Sequence, residues 1–326
     1  MKYVITGGAG FIGSNLAAEF VRAGHEVHVV DNLSTGQARF LTDIDCHLHR
    51  IDLCSPTTDL GDIVAGAAAV YHLAANADVR FGWQDRRRDL SQNVIATLNV
   101  ADACTAAGVR ELIFSSTGSV YGQAAVIPTP EDAPYPIQTS LYGAAKSAAE
   151  GFLAAYAEAG LLTVTVFRFV SVLGPRYTHG HVIDFIRQLR RDPMRLLVLG
   201  DGTQRKSYMH VDDCVAAVST VRTGEPFSVV NLGTAEYCTV LDSIGWIVDE
   251  LGLAPVLEFT GGDRGWVGDN PFIWLDTARV RSTGWRPRYT IEASVRHTVS
   301  WLMANPWVLD IVDSRSDAQA DPGGGR

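Results

Sequence analysis

Charge and cysteine are both scarce in this chain. Only 19% of its 326 residues are Asp, Glu, Lys or Arg, and 36 acids against 27 bases leave a formal net charge of −9. A nucleic-acid backbone is repelled by such a surface. The one basic run, Arg86-Arg87-Arg88, reads as a solvated helix start. The five cysteines (Cys46, Cys54, Cys104, Cys214 and Cys238) are odd in number and form no Cys-x-x-Cys pair, and no Cys/His cluster has zinc spacing. They read as reduced thiols, with no disulfide framework and no metal expected. No apolar run reaches membrane-spanning length. No charged and apolar leader precedes "MKYVITGG", so the expected location is the cytoplasm. Residues 313–326 lack apolar periodicity and read as a loose tail.

What the chain does have is apolar material, 47% of residues, enough for one large or two medium domains. No internal repeat is present. The first half alternates β-rich runs with helical patterns. "KYVIT" (2–6), "EVHVVD" (26–31), "CHLHRID" (46–52), "AAVYHLA" (68–74), "ELIFSS" (111–116) and "TVTVFRF" (163–169) read as strands. Residues 10–24, 58–65, 86–107 and 140–159 read as helices. This alternation predicts an α/β fold: a Rossmann-type doubly wound parallel sheet with right-handed crossovers. The second half is less regular. Its helices are predicted over 181–191, 211–222, 239–252, 277–283 and 291–304, and "FSVVNLG" (227–233) reads as one more strand of the main sheet. The expected division is a dinucleotide-binding part over 1–173 with a return segment at about 207–235. A smaller mixed α/β substrate part then covers 174–206 and 236–312.

"VITGGAGFIGSNL" sets Gly7, Gly10 and Gly13 three residues apart, after one strand and at the start of a helix. Gly7 allows the tight turn, Gly10 lets backbone approach a pyrophosphate, and Gly13 lets helix and strand pack closely. The helix N-terminus adds N–H groups and positive dipole. A glycine pattern alone is weak. Here the strand, the helix and Asp31, an acid at the end of the second strand, supply the context that makes it specific. Asp31 is placed to take the adenosine ribose hydroxyls, and an acid there disfavours the 2′-phosphate of NADP, so NAD is expected. Asp52 suits either an adenine edge or a loop cap. Ala74 and Ala75 are small where a cofactor would pass close to backbone.

"SLYGAAKSAAE" (140–150) puts Tyr142 and Lys146 four residues apart, on one helix face. A phenol ionises near pH ~10 and is a poor base at neutrality. A neighbouring ammonium and a positive nicotinamide both favour the phenolate. The expectation is a depressed Tyr142 pKa and a phenol that takes a proton from a sugar hydroxyl. "SST" (115–117) supplies Thr117 to hold that hydroxyl. The small residues Gly143, Ala144, Ala145, Ala148 and Ala149 are read as a face where two such helices meet across a homodimer.

Taken together, "TGGAGFIGSNL", "DNLSTG", "HLAA", "NVIATLNV", "FSSTGSVYG", "YGAAK", "GPR" and "GDGTQRKSYMHVDD" resemble the extended short-chain dehydrogenase/reductase family. Within it they resemble the NAD-dependent sugar-nucleotide epimerases and dehydratases, UDP-glucose (UDP-galactose) 4-epimerases most of all. The resemblance covers nearly all of 1–305. It implies that Tyr142 is the catalytic base, that Lys146 bonds the nicotinamide ribose and that Thr117 bonds the sugar 4-hydroxyl. It implies NAD contacts at Gly7, Gly10, Phe11, Ile12, Gly13, Asp31, Asn32, Ser34, Thr35, Gly36, Asp52, Leu53, Leu73, Ala74, Ala75, Asn93 and Ser115. It implies nucleotide-sugar contacts at Ser171, Val182, Arg205, Lys206, Arg264 and Asp269. His179, His181 and Trp266 fall in irregular segments that either line the pocket or pack.

Two departures from that family narrow the activity. Its dehydratases and decarboxylases carry an acid just after the catalytic Thr, where this chain has Gly118 and Ser119. Its usual Asn in the "FRFVSVLGPR" stretch is Ser171 here, which points to a different sugar or pose. The expected function is an NAD-dependent nucleotide-sugar 4-epimerase working through a transient 4-keto sugar. The alternatives are a 4-ketoreductase or dehydrogenase, an epimerase of a uronic acid or heptose nucleotide, and a non-enzymatic NAD-sensing scaffold.

Overall fold

The computed structural model describes residues 1–55, 59–79, 82–134, 137–265, 270 and 272–311. The tail read over 313–326 lies outside them. β1 (Lys2–Thr6), α1 (Phe11–Arg22), β2 (Glu26–Val30), β3 (His47–His49), α2 (Asp59–Val64) and β4 (Ala69–His72) follow in order. A π-helical turn over Leu90–Ile95 runs into α3 (Ala96–Ala106), then β5 (Glu111–Thr117), α4 (Leu141–Glu158) and β6 (Thr163–Phe169). β7 (Ser171–Leu173), α5 (His181–Arg191), β8 (Arg195–Val198), β9 (Arg205–Lys206), β10 (Tyr208–His210) and α6 (Val211–Thr220) precede β11 (Phe227–Leu232). β12 (Cys238–Thr239), α7 (Val240–Leu251), β13 (Val256–Phe259), β14 (Phe272–Ile273), α8 (Ala278–Ser282) and α9 (Ile291–Ala304) follow.

Seven strands form one sheet in the order β11-β6-β5-β4-β1-β2-β3, every pair parallel. This is the Rossmann-type doubly wound sheet that the sequence predicts. Parallel sheets are covered on both faces, so their strands read as continuous apolar runs. β5 shows why. Leu112 and Phe114 are buried with Val4, Val70 and Val164 on one face, and Ile113 is buried with Ile5, Tyr71 and Phe167 on the other. Each such side chain contributes about 1.5–3 kcal/mol by leaving water. The order reverses between β1 and β4, which opens a crevice at their carboxyl ends.

Among the described residues three small sheets lie outside the main one: β7 with β10, β8 with β13, and β9 between β12 and β14. Strands of two to four residues carry too little period to read, so the sequence did not reveal them. Among the described residues no helix is long and apolar enough to cross a membrane.

The small-residue face of α4 needs a correction. Ala149 is buried in the core beneath the sheet, with Val100, Leu153 and Val164. Gly143 is buried too, and a Cβ there would stand 2.7 Å from the Ser119 carbonyl oxygen and 2.7 Å from Gln138 Oε1. Ala145 is buried as well. The bareness at these three positions serves packing within the chain. Of the five small residues only Ala148 is exposed.

Candidate active site

Gly7 turns the chain off β1 with φ +67°. A Cβ there would lie 2.6 Å from the Ala74 nitrogen, because β1 and β4 are neighbours at the crevice. Gly13 has no room for a side chain either, since its Cβ would meet the Gly7 carbonyl oxygen at 2.3 Å. Gly10 caps α1 without any side-chain hydrogen bond, which leaves first-turn N–H groups for an anion. Asp31 follows β2, and its carboxylate accepts from Ala9 N at 3.0 Å and from Leu33 N at 2.8 Å. Burial pushes its pKa up, and those two backbone donors act against the rise. Gly36 lies against this carboxylate, where a Cβ would stand 2.7 Å from Asp31 Oδ1. An uncapped helix start, a bare backbone turn and a held acid in one crevice fit a dinucleotide. Asp52 lines the same cavity, and it also accepts from Cys54 N at 2.9 Å as a loop cap does.

At the far end of the crevice Ser140 caps α4, its hydroxyl accepting from Gly143 N at 3.0 Å. The next turn presents Tyr142 and Lys146. The Tyr142 phenol is buried and hydrogen-bonded to the Thr117 side chain. Thr117, at the end of β5, also accepts from Ser119 N at 3.1 Å. Lys146 is 2% exposed. Its Nζ donates to the Ser115 carbonyl oxygen at 2.8 Å and sits 4.6 Å from the Phe114 ring centroid.

The expected depression of Tyr142 is not produced by the chain's own groups. Burial pushes the phenol up to about 12; the Thr117 hydrogen bond lowers it and Asp89 raises it. Lys146 is drawn down to about 7 by burial, against the pull of Glu150 and Asp89. An ammonium tied to a strand-end carbonyl does little for the phenol. Behind Lys146, Glu150 is held by Arg168 in a two-point ion pair, with contacts of 2.5 and 3.1 Å. Asp89 is buried at the start of the π turn. Its Oδ1 accepts from Asn76 and Asn93, while its Oδ2 has no hydrogen-bond partner among the described residues.

A cavity of about 650 Å³ joins the two ends. The glycines, Asp31, Asp52, Ala74, Thr117, Tyr142 and Lys146 line it, as do Phe11, Ile12, Asn32, Ser34, Thr35, Leu53, Leu73, Ala75, Ser115, Ser171 and Lys206. Four expected residues are not on its wall. The Asn93 side chain is engaged with Asn76 N at 2.9 Å, the Asn76 carbonyl at 3.2 Å and Asp89. Val182 is fully buried in the core. Arg205 points away from Lys206, as neighbours on a strand do, and lies 4.0 Å over the Phe272 ring. Arg264 is exposed and donates to Gln123 Oε1 at 3.3 Å. Asp269 and Trp266 lie outside the described residues.

His179 and His181 line the cavity. His181 bonds Ser243 Oγ at 2.8 Å, and burial lowers its pKa to about 4, so it is a neutral packing group. The sequence reasoning missed Tyr177, Thr178, Leu199, Gln204, Tyr208 and Asn270, all on the wall. Gln204 and Tyr208 carried a signal, as polar residues inside the "GDGTQRKSYMHVDD" run. Gln204 is buried, and its Oε1 has no hydrogen-bond partner among the described residues.

Residues 3–233 match the model of the NAD dependent epimerase/dehydratase family. The UDP-glucose 4-epimerase of Mycolicibacterium smegmatis is 31% identical over 315 residues, 92% of this chain and 98% of that protein. A solved UDP-galactose 4-epimerase shares 39% identity, with 94% of this chain and 100% of that one covered and a TM-score of 0.83. MoeE5 in complex with UDP-glucuronic acid and NAD shares 31% identity at the same coverage, also with a TM-score of 0.83. The chain therefore belongs to the NAD-dependent epimerase/dehydratase family. Its cofactor is NAD.

Proposed function

We propose that this protein is a nucleotide-sugar 4-epimerase, with a UDP-hexose as the first substrate to test. The observation that carries the reading is the buried Tyr142 phenol, bonded to Thr117 and opening on the cavity that also holds the glycine turn and Asp31. NAD, when bound here, would supply a reversible hydride acceptor for C4 of the sugar. Gly10 and the start of α1 hold the pyrophosphate, and Asp31 accepts from the adenosine ribose. Lys146, fixed by Ser115, donates to the nicotinamide ribose. Thr117 orients the sugar 4-hydroxyl, and Tyr142 takes its proton and gives one back at the end of the cycle. A positive charge on a bound nicotinamide would favour ionisation of the phenol that burial holds near 12.

Lys206 is read as a diphosphate contact. The segments 174–206 and 236–312 are read as the part that grips the nucleotide and leaves the sugar loose enough to present either face. Binding energy then sits far from the reacting carbon. Gly118 supports epimerisation over dehydration: a Cβ there would stand 3.3 Å from both the Phe169 carbonyl oxygen and Ile273 Cγ2, so the site has little space for an acid.

The test is NMR of C4 stereochemistry with UDP-glucose, UDP-galactose, their N-acetyl derivatives and their uronic acids. Interconversion without added NAD and without NADH release is expected. NADH formed in proportion to substrate would identify a dehydrogenase instead, and bound NAD with no turnover on any sugar a sensing scaffold.

A further inference from the structure

None of Glu26, His28, His47 and His49 lines the cavity, yet the sheet register gathers them. β2 and β3 run parallel with His28 opposite His47 and Val30 opposite His49. Residues two apart on a strand share a face, so all four side chains leave the sheet on the same side. His28 is the centre of the group. Its Nε2 is 2.9 Å from Glu26 Oε1, its Nδ1 is 2.9 Å from His49 Nε2, and its ring centroid is 4.7 Å from that of His47. One donor atom each from Glu26, His28 and His47 lies within 4.8 Å of the other two. Glu26 and His47 are exposed, so both are free to adjust.

We propose that Glu26, His28 and His47 form a binding site for a zinc-like divalent transition-metal ion, with His49 as its hydrogen-bonded support. Zinc takes His nitrogen at about 2.0–2.1 Å and carboxylate oxygen at about 2.0–2.2 Å. Small rotations of exposed side chains bring the three donors to those distances, and water completes the tetrahedron. The ion takes the lone pair of His28 Nε2, and the His28 proton resides on Nδ1 and is donated to His49 Nε2. A ligating histidine commonly donates its second nitrogen's proton to such a partner. The sequence showed no zinc spacing because the ligands come from two strands. The bound ion would clasp the edge strand β3 to β2. β3 leads directly to Ile51, Asp52 and Leu53 on the cavity wall.

The test uses the full chain after treatment with EDTA, titrated with ZnCl2 by calorimetry and followed by thermal unfolding. One zinc per chain is expected, with a rise in the unfolding midpoint that EDTA reverses. His47→Gln, at an exposed edge position, removes both effects, and so does His28→Ala. His49→Ala weakens binding by about 10–100-fold. MgCl2 does not substitute, because this nitrogen-rich set suits softer ions. Failure of the wild-type chain to bind zinc overturns the proposal. Binding left unchanged by both His47→Gln and His28→Ala does so too, since the ion would then sit elsewhere.

Discussion

The Lys146 ammonium is bonded at 2.8 Å to the Ser115 carbonyl, at a strand end where 2% of the residue meets solvent. Burial draws its pKa down to about 7, from a reference near ~10.4. Between those values the folded chain binds fewer protons than the unfolded chain, so stability rises with pH. The destabilisation is complete below about 7 and is relieved as pH approaches 10. Lys146→Met removes this dependence. In NAD-free protein the variant is expected to be more stable than wild type at pH 7, by a margin that narrows towards pH 10. Denaturant titrations across that range check it, and a constant margin would remove the buried-ammonium account.

Gly13 and Gly36 are predicted to fail in different ways. Gly13→Ala puts a methyl 2.3 Å from the Gly7 carbonyl, where only backbone can yield. It should cost about 1–3 kcal/mol or more and also lose the cofactor. Gly36→Ala presses on the Asp31 carboxylate instead. It should leave the unfolding midpoint nearly unchanged while bound NAD is lost on gel filtration. Absorbance of the released nucleotide and a melting curve separate the two.

Arg168→Leu leaves Glu150 buried without its two-point partner. Removing one member of such a pair costs about 3–5 kcal/mol. Arg168 also donates to Tyr121 OH at 2.7 Å, and Tyr121 in turn bonds Asn231 on β11, so the loss should loosen that edge of the sheet. Urea unfolding measures the first effect, and hydrogen exchange over Phe227–Leu232 measures the second.

Much of the site was legible because its chemistry is local in sequence. Gly7, Gly10 and Gly13 fall within one short strand-turn-helix stretch, and Tyr142 and Lys146 within one helix, so local chain geometry fixes both sets. β6 and α5 and α9 kept their predicted bounds for the same reason. What failed depends on neighbours distant in sequence. Asn93 points at Asn76 and Asp89 because the helix opens into a π turn there, which no local pattern announced. The upward push on Tyr142 in the cofactor-free chain is not legible locally, because desolvation is a property of the assembled cavity. Arg205 and Lys206 were distinguishable only once β9 set which of them faces in.

Asp31 tests the cofactor preference. Its carboxylate is anchored by Ala9 N and Leu33 N and opens on the cavity. Asp31→Ser should weaken NAD about tenfold or more, consistent with loss of hydrogen bonds to a charged acceptor, and should raise relative NADP binding. Fluorescence titration with both dinucleotides measures the ratio. An unchanged preference would detach Asp31 from the ribose.

The most direct measurement concerns the phenol itself. Tyr142→Phe should keep the fold and the bound NAD while the rate of C4 interconversion, read by NMR on the nucleotide sugar, falls by about 10²–10⁴-fold. A Tyr142→Phe protein that holds NAD and turns over at the wild-type rate would contradict the account, because no proton would then pass through Tyr142.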